Sequence, residues 1–353
     1  MSEKAERARG KGPRWWRAVR VVWKWLTTGL SAAGALACGV WMIAGLGREI
    51  DIAAQFVAQM CVGMALLMVW WAVWRAWGRM AIALTGVAIG ALGVLPGRAG
   101  MISRERAERE GTLVRVLQIN AYAQNTRALD AFETIKRSGA DVIAIYEAPW
   151  QMLNAMRTDG AFHEAYPYFD LPAQAGTGFP VLVSKWPMER MATGPERAQP
   201  EEGEHGRSWR VDRPGGGFIA SMIHPFSPRT DERWEAGNRV VRRAIEAKRE
   251  HYDPTGLPMV FVGDLNSTPS GWRSRYLCGQ GLARAKPWWV MRGTWPTKNP
   301  EWARIAIDDA LLGPRVKVAS WRALEAGGSD HAPVLMELAI PKVAGTGAGK
   351  ASE

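Results

Sequence analysis

The sequence predicts an α/β domain that follows three membrane-spanning helices. The first hundred residues hold three long apolar stretches, which are typical of a membrane anchor. The remaining residues alternate apolar runs of strand length with longer patterns of helical period, which is typical of an α/β domain. A chain of 353 residues has room for one sizeable domain beside such an anchor.

The anchor is expected to cover residues 21–96. Its apolar stretches, 21–46, 53–74 and 80–96, are each close to the ~20 residues that a helix needs to cross a bilayer. A buried helical core is the alternative, but tryptophans cluster near the ends of the stretches, as they do in an interfacial belt. These residues are Trp15, Trp16, Trp23, Trp25, Trp70, Trp71, Trp74 and Trp77.

Positive charge is concentrated before the first apolar stretch. Residues 1–100 hold 12 basic and 4 acidic residues, a net charge of +8, whereas residues 101–353 hold 33 and 30, a net charge of +3. The positive-inside rule therefore predicts a basic cytoplasmic N-terminus at residues 1–20 of a multi-pass inner-membrane protein. Three crossings would leave the domain extracytoplasmic, in the periplasm. Its small basic excess does not suggest a nucleic-acid groove.

The segments around the domain differ from it in composition. Residues 97–112 are polar and charge-mixed and are expected to form a linker, whereas residues 341–353 lack an apolar period and are expected to be disordered. Within the domain, residues 127–138 and 231–250 show helical patterns, and residues 176–184 predict a strand.

Polar side chains stand where two apolar runs begin or end. Asp264 and Asn266 follow the run 258–262, and Asp330 with His331 precedes the run 332–336. An acid and an amide two residues apart at a strand end point the same way across the pleat, so both can face one phosphate. Each motif alone is also ordinary turn chemistry.

Three further apolar runs carry polar residues in the same way. Asn120 follows the run 114–119, Glu147 follows the run 141–146, and Asp308 and Asp309 lie within 305–312. Buried carboxylates are costly unless they are paired or bound to a cation, so the five runs predict one shared polar centre. Strand alternation lets only one of Asp308 and Asp309 face that centre.

In order and spacing these motifs resemble the endonuclease/exonuclease/phosphatase superfamily, which has the deoxyribonuclease I-like fold, over residues 113–340. The resemblance is to a membrane-anchored member of bacterial type. It implies a four-layer α/β sandwich of two packed β-sheets flanked by helices. One departure is Tyr146, where the family often has Gln before the metal-binding Glu. The matching residues are Asn120, Glu147, His224, Asp264, Asn266, Asp308, Asp330 and His331.

The resemblance also implies a metal site. Glu147 would be the principal ligand, and Asn120 and Asp330 would bind the ion directly or through water. Oxygen ligands of this kind suit a hard ion such as Mg²⁺, with Mn²⁺ as a substitute. The sequence contains neither Cys-x-x-Cys nor His-Glu-x-x-His, so it gives no zinc pattern.

The remaining matched residues would carry the chemistry. By resemblance His331, oriented by Asp308, acts as a base or contacts the phosphate, and Asp264 orients the attacking water or a metal. Asn266 would donate a hydrogen bond to a phosphate oxygen. His224 would assist the leaving group, although a lone His before Pro225 could equally be part of the loop structure.

The expected function is metal-dependent hydrolysis of a phosphate ester outside the cytoplasm by a phosphodiesterase, nuclease or phosphatase tethered to the bilayer through residues 21–96. The substrate stays open between nucleic acid, a phospholipid headgroup and a small phosphodiester, and no obligate protein partner is evident. The alternative is a catalytically silent binding or scaffold domain of the same fold. Such a domain would have no chemical need for the full set of polar residues.

Overall fold

The structure is a computed structural model that describes residues 14–171, 180–191 and 206–342. Most of the basic segment 1–20 and of the tail 341–353, and residues 176–179 of the strand expected at 176–184, lie outside the described residues. The chain forms two compact units. One extends to Met42 and includes Val57–Val94, and the other comprises Ile43–Phe56 and the chain from Leu95 onward.

The first unit is helical. Its helices are α1 (Arg14–Ala37), α3 (Val57–Val73) and α4 (Trp77–Val94); a 3-10 helix (Val40–Leu46) and α2 (Arg48–Ala54) lie between α1 and α3 in sequence. Among the described residues, α4 alone is long and apolar enough to cross a membrane as one helix. The number rises to three if two bent pairs count as spans, namely α1 with the 3-10 helix (52°) and α2 with α3 (51°).

Trp71 belongs to the core of this helical unit and differs in this respect from the other tryptophans near the stretch ends. Its side chain is buried, its indole N–H donates to Ser31 Oγ at 3.2 Å, and the Arg79 guanidinium lies 4.5 Å from the ring centroid. A buried indole needs such a partner for its N–H. Trp71 is therefore a packing residue, whereas the other seven tryptophans are exposed.

The second unit contains two six-stranded β-sheets. The first has the order β11-β12-β1-β2-β4-β3, and the second has the order β5-β6-β7-β8-β10-β9. Each sheet is mixed, because β1 pairs with β2 and β7 pairs with β8 in parallel, whereas the other pairs are antiparallel. The strands are β1 (Thr112–Asn120), β2 (Val142–Tyr146), β3 (Tyr168–Asp170), β4 (Val181–Ser184), β5 (Met188–Arg190), β6 (Gly206–Arg213), β7 (Gly216–Ile223), β8 (Met259–Asp264), β9 (Ala283–Arg284), β10 (Asp308–Leu312), β11 (Lys317–Ala323) and β12 (Val334–Ile340).

Strand alternation divides the apolar residues among three layers. On β1, Val114 and Val116 pack between the two sheets, whereas Leu117 and Ile119 face the helices on the outside of the first sheet. The outer side of the second sheet packs on its own helices through Phe261 and its neighbours. The expected arrangement of two packed sheets flanked by helices is confirmed.

The flanking helices follow the predicted patterns closely. The pattern at 127–138 gives α6 (Ala128–Arg137), and the pattern at 231–250 gives α9 (Asp231–Ala247), which continues as a π-helical turn (Lys248–Tyr252). The other helices are α5 (Arg104–Glu110), α7 (Trp150–Thr158), α8 (Gly160–Ala165) and α10 (Trp272–Gly279), with 3-10 turns at Asp253–Thr255 and Glu301–Ala303.

Residues 43–56 belong to the unit that contains the sheets, although they lie inside the stretch 21–96 expected to form the anchor. Their buried acid, Asp51, accepts hydrogen bonds from Trp234 Nε1 at 2.9 Å and from the backbone N–H of Trp272 at 2.8 Å. These contacts tie α2 to α9 and α10. Composition could not reveal them, because the apolar stretches on both sides dominate this part of the chain.

Candidate active site

The site lies at one end of the two packed sheets, where alternation brings polar residues to their inner faces. Asn120 follows Val116 and Gln118 on the inner face of β1, and Asp264 follows Val262 on that of β8. Asp308 faces Asp264 directly in the antiparallel register of β10 and β8. The polar ends of strands from both sheets therefore converge.

Asp308 and His331 form a buried hydrogen-bonded pair. His331 Nδ1 lies 2.9 Å and 3.1 Å from the two carboxylate oxygens of Asp308, and Gln118 Nε2 donates to Asp308 Oδ1 at 2.9 Å. Burial alone would lower the pKa of His331, but Asp308, Asp264 and Asp330 raise it to about 10. Although burial opposes it, the imidazolium likewise holds the pKa of Asp308 below its usual range. The pair is therefore an imidazolium bound to a carboxylate.

Asp264 is the acid that the other site residues surround. Its Oδ2 lies 3.7 Å from His331 Nε2 and 3.6 Å from His224 Nε2, and it accepts from Asn120 Nδ2 at 3.2 Å. Its Oδ1 accepts from the backbone N–H of Asn266 at 2.8 Å. Burial and the neighbouring Asp308 charge raise the pKa of Asp264, and the two histidines only partly offset them.

Glu147 and Asp264 both accept a hydrogen bond from the side-chain amide of Asn120. Asn120 Nδ2 donates to Glu147 Oε1 at 3.0 Å, and His224 Nε2 lies 3.4 Å from that oxygen. His224 is buried, and its ring centroid lies 5.3 Å from that of Tyr146. The structure thus brings His224 into the cluster instead of leaving it in a separate loop.

Asn266 and Asp330 join the cluster at its edges. Asn266 Nδ2 donates to Pro225 O at 3.0 Å, which connects the end of β8 to the loop that carries His224. Asp330 Oδ2 accepts from Trp295 Nε1 at 3.0 Å, and its Oδ1 lies 4.0 Å from His331 Nε2. Among the described residues, that buried Oδ1 has no hydrogen-bond donor. All eight residues matched in sequence therefore meet at one end of the sandwich.

Two site residues and the nearby Tyr122 have the left-handed backbone conformation, which is uncommon for residues with a side chain. Tyr122 has φ 59°, Glu147 has φ 49° and Asn266 has φ 47°. Such conformations cost free energy and persist where the surroundings impose them, often at functional sites. Glu147 is the first residue after β2, and Asn266 is the second residue after β8. A side chain at Gly263 would collide with the carbonyl oxygen of Ile223, so glycine is needed before Asp264.

Asp309 has a different environment from its neighbour Asp308. Its Oδ2 lies 2.9 Å from Arg284 Nε, and its Oδ1 accepts from Trp321 Nε1 at 3.0 Å. Asp309 is also close to Lys286, whose pKa is lowered to about 7 by burial and then by the nearby Arg98, although the Asp309 charge opposes that shift. Asp309 is therefore the acid of a buried cluster of basic residues. Asp308 is thus the one of the pair in the polar centre, as expected.

The residues present fit a hard divalent cation. Asp264, Asp308 and His331 each bring one potential ligand atom within 4.8 Å of the others. Both oxygens of Asp308 already bind His331 or Gln118, which leaves it poorly suited as a ligand. The cluster brings four acids, Glu147, Asp264, Asp308 and Asp330, to two histidines, which is an excess of negative charge, and the buried Oδ1 of Asp330 lacks a donor among the described residues. A cation among carboxylate and amide oxygens would offset that excess.

Three residues that hold the site together were not assigned to it from the sequence. Gln118 binds Asp308, and Trp295 binds Asp330. The Tyr146 hydroxyl donates to Val262 O at 2.5 Å and accepts from the Ile223 N–H at 3.1 Å, so it links the two sheets beneath the site. Burial raises its pKa well above the usual range. The inward register of Gln118 and Tyr146 was the available signal.

Several solved structures are similar to this chain. An endonuclease/exonuclease/phosphatase from Beutenbergia cavernae DSM 12333 is 18% identical over 65% of this chain and 72% of its own, with a TM-score of 0.45. The catalytic domain of human nocturnin is 14% identical over 64% and 94%, with a TM-score of 0.47. Sphingomyelinase C from Streptomyces griseocarneus is 15% identical over 64% and 99%, with a TM-score of 0.46.

Comparison with curated proteins gives no match. The model of the endonuclease/exonuclease/phosphatase family matches residues 117–331, which begin on β1 just before Gln118 and end at His331. This range is more than half of the chain and contains every residue of the site described above. The chain belongs to the endonuclease/exonuclease/phosphatase family.

Proposed function

We propose that the protein is a membrane-tethered, divalent-metal-dependent hydrolase of phosphate esters whose catalytic domain lies outside the cytoplasm. The observation that carries the proposal is the buried cluster in which the His331–Asp308 pair meets Asp264, Asn120 and Glu147. Burying so many ionisable groups together is costly, and their perturbed pKa values are typical of catalytic sites. Membership of a family named for nucleases and phosphatases supports the same chemistry.

In the proposed reaction, a water oxygen forms a bond to phosphorus as the ester P–O bond breaks. The leaving oxygen takes up a proton, so the products are an alcohol and a phosphate or phosphomonoester. Asp264 orients the attacking water and takes up the proton that the water loses, a role that its raised pKa favours. His331 is charged in this environment, so it donates from Nε2 to a phosphoryl oxygen and does not act as the base.

Two further residues would act on the substrate. His224 Nε2, which is within 3.6 Å of both Glu147 and Asp264, supplies a proton to the leaving oxygen. Asn266 has one amide hydrogen engaged with Pro225 O, which leaves the other for a phosphoryl oxygen.

Glu147, Asp330 and Asn120 would hold the metal. A hard divalent cation bound there would offset the negative charge that develops on the phosphoryl group. Mg²⁺ suits these oxygen ligands, and Mn²⁺ is an expected substitute. The short link from Asn120 to Glu147 would keep the amide oxygen and the carboxylate on one side of the site.

The function is tested with the full chain purified in detergent and freed of metal with a chelator. We expect Mg²⁺ or Mn²⁺ to restore hydrolysis of a chromogenic phosphodiester or phosphomonoester. If the folded protein hydrolyses neither ester, and no phospholipid or oligonucleotide, with either metal, the catalytically silent scaffold becomes the better interpretation.

The membrane arrangement has support from the catalytic unit itself. If α1, α3 and α4 belong to three successive crossings and the N-terminus is cytoplasmic, the segment between the first and second crossings lies on the outer side. The catalytic domain, which follows the third crossing, then lies on the same side. Residues 43–56 pack within the unit that contains the sheets, which agrees with that arrangement. A single crossing by α4 would not put these residues on the outer side.

We therefore expect the C-terminus to lie outside the cytoplasm. Alkaline phosphatase fused after Glu353 should be active in intact cells, and green fluorescent protein fused there should stay dark. The same fluorescent protein fused before Met1 is the control and should be bright. The reverse pattern at Glu353 would disprove the topology.

A further inference from the structure

A cleft beside the site is lined in part by Phe56, which lies near the start of the second apolar stretch. The cleft has a volume of about 530 Å³, within the range of small-molecule sites. Phe56 forms one side, and Trp295, Pro296, Ala303 and Ile305 contribute further apolar surface. All of these residues belong to the unit that contains the sheets.

The cleft adjoins the polar centre through two of its lining residues. Asp330 lines it and lies next to the catalytic pair, with its Oδ1 4.0 Å from His331 Nε2. Tyr122, also in the lining, donates its backbone N–H to Asn120 Oδ1 at 3.0 Å. A molecule whose phosphate reached the site would have room for its apolar portion in the cleft, whose lining includes Phe56 and the positively charged Lys298.

Phe56 is held in place by the two residues before it. Gln55 Oε1 accepts the backbone N–H of Thr268 at 2.5 Å, and Ser270 Oγ donates to Ala54 O at 2.7 Å. Gln55 and Ala54 are buried, whereas Phe56 is 44% exposed. The loop after Asp264 and Asn266 thus fixes the chain immediately before Phe56. Such a fixed and half-exposed ring is suited to binding an apolar group.

The unit that contains the cleft also presents large apolar side chains to solvent. Trp302 is 79% exposed and adjoins the cleft residue Ala303 in sequence, and Trp288, Trp289 and Met291 are 53–64% exposed. Exposed aromatic groups of this kind are typical of proteins that contact the membrane interface. In the chain, Phe56 immediately precedes α3, one of the proposed membrane helices.

From these observations we infer that the substrate is a lipid phosphate ester and that Phe56 binds its apolar portion in the cleft. This inference rests on the proposed phosphoesterase function and adds the class of substrate. Phe56 is a specificity residue, because it contacts the apolar part of the substrate and none of the polar groups of the site. The fixed segment 43–56 makes the anchor region a part of the substrate site.

The test compares one headgroup on two chain lengths. The full chain in detergent is assayed with dihexanoyl and dioleoyl phosphatidic acid, with the corresponding phosphatidylglycerols and with a chromogenic phosphodiester. We expect Phe56→Ala to lower kcat/KM about tenfold on the dioleoyl esters, mainly through KM. It should change kcat/KM less than twofold on the dihexanoyl and chromogenic esters. Phe56→Leu keeps an apolar wall and should recover most of the loss.

Phe169→Ala is the matched control. Phe169 is a similarly half-exposed phenylalanine on β3, the edge strand three positions from β1, and its replacement should leave all substrates unaffected. Equal losses with Phe56→Ala on long and short esters, or none on the long ones, would overturn the inference, as would a preference of the wild type for oligonucleotides. If the wild type hydrolyses the chromogenic ester but does not distinguish dioleoyl from dihexanoyl esters, only the inference about the lipid substrate fails. If nothing is hydrolysed, the proposed function fails as well.

Discussion

Replacing His331 with alanine is expected to lower kcat roughly 10²–10⁴-fold, the usual contribution of a positioned acid–base or charge-stabilising group. The imidazolium is held by Asp308 at 2.9 Å and lies 3.7 Å from Asp264, so its loss removes the donor for the phosphoryl oxygen. Steady-state kinetics on the metal-loaded full chain, with circular dichroism as the check on folding, measures the effect. Near-normal turnover by a folded His331→Ala protein would disprove the catalytic assignment.

The role of Asp308 is tested by combining variants. Asp308 acts through His331, so the losses from His331→Ala and Asp308→Ala should not add fully in the double variant. His331→Gln guards against loss of the fold, because its amide can still donate to Asp308. Asp309→Asn is the matched control, since Asp309 is equally buried but pairs with Arg284. It should change stability and leave kcat unchanged, whereas additive losses in the double variant would separate Asp308 from His331.

The residues of the site were predictable because strand alternation and strand ends fix them locally. Once β1 and β8 are assigned, the inner-face register of Asn120 follows from the apolar residues four and six positions before it, and that of Asp264 from those two and four positions before it. The same reasoning separates Asp308 from Asp309, because Asp308 shares its face with Ala310 and Leu312. Sequence patterns therefore give the members of the site well.

What the sequence did not give depends on contacts between distant segments. Gln118 Nε2 meets Asp308 across 190 positions, and Thr268 meets Gln55 across 213. A local apolar pattern contains no information about such partners. The strongest case is Asp51, whose buried carboxylate would be costly inside an apolar helix and is stabilised instead by Trp234 and Trp272. The charged residues Arg48, Glu49 and Asp51 between two apolar stretches were the available hint.

The Glu147→Gln variant is expected to bind the metal far more weakly while keeping its fold. The amide has the shape of the carboxylate and its oxygen can still accept from Asn120 Nδ2, so mainly the charge is lost. The replacement also keeps a side chain that tolerates the left-handed backbone at this position as well as Glu does. Loss of a ligand charge should cost at least the ~10–100-fold in affinity that loss of an outer partner costs. Calorimetric titration with Mg²⁺ and Mn²⁺ measures it directly.

Glu337→Gln separates a site effect from a general effect of removing an acid. Glu337 lies on β12 and is also partly buried in the same domain, but it forms an ion pair with Arg115 at 3.1 Å. Arg115 is its partner in the register of β12 with β1 and lies five residues before Asn120. Its replacement should leave metal affinity unchanged. Activity of Glu147→Gln should recover as the metal concentration is raised, because the other oxygen ligands remain. If Glu147→Gln binds Mg²⁺ like the wild type while Asp264→Asn does not, the metal belongs with Asp264 and the assignment by resemblance is wrong.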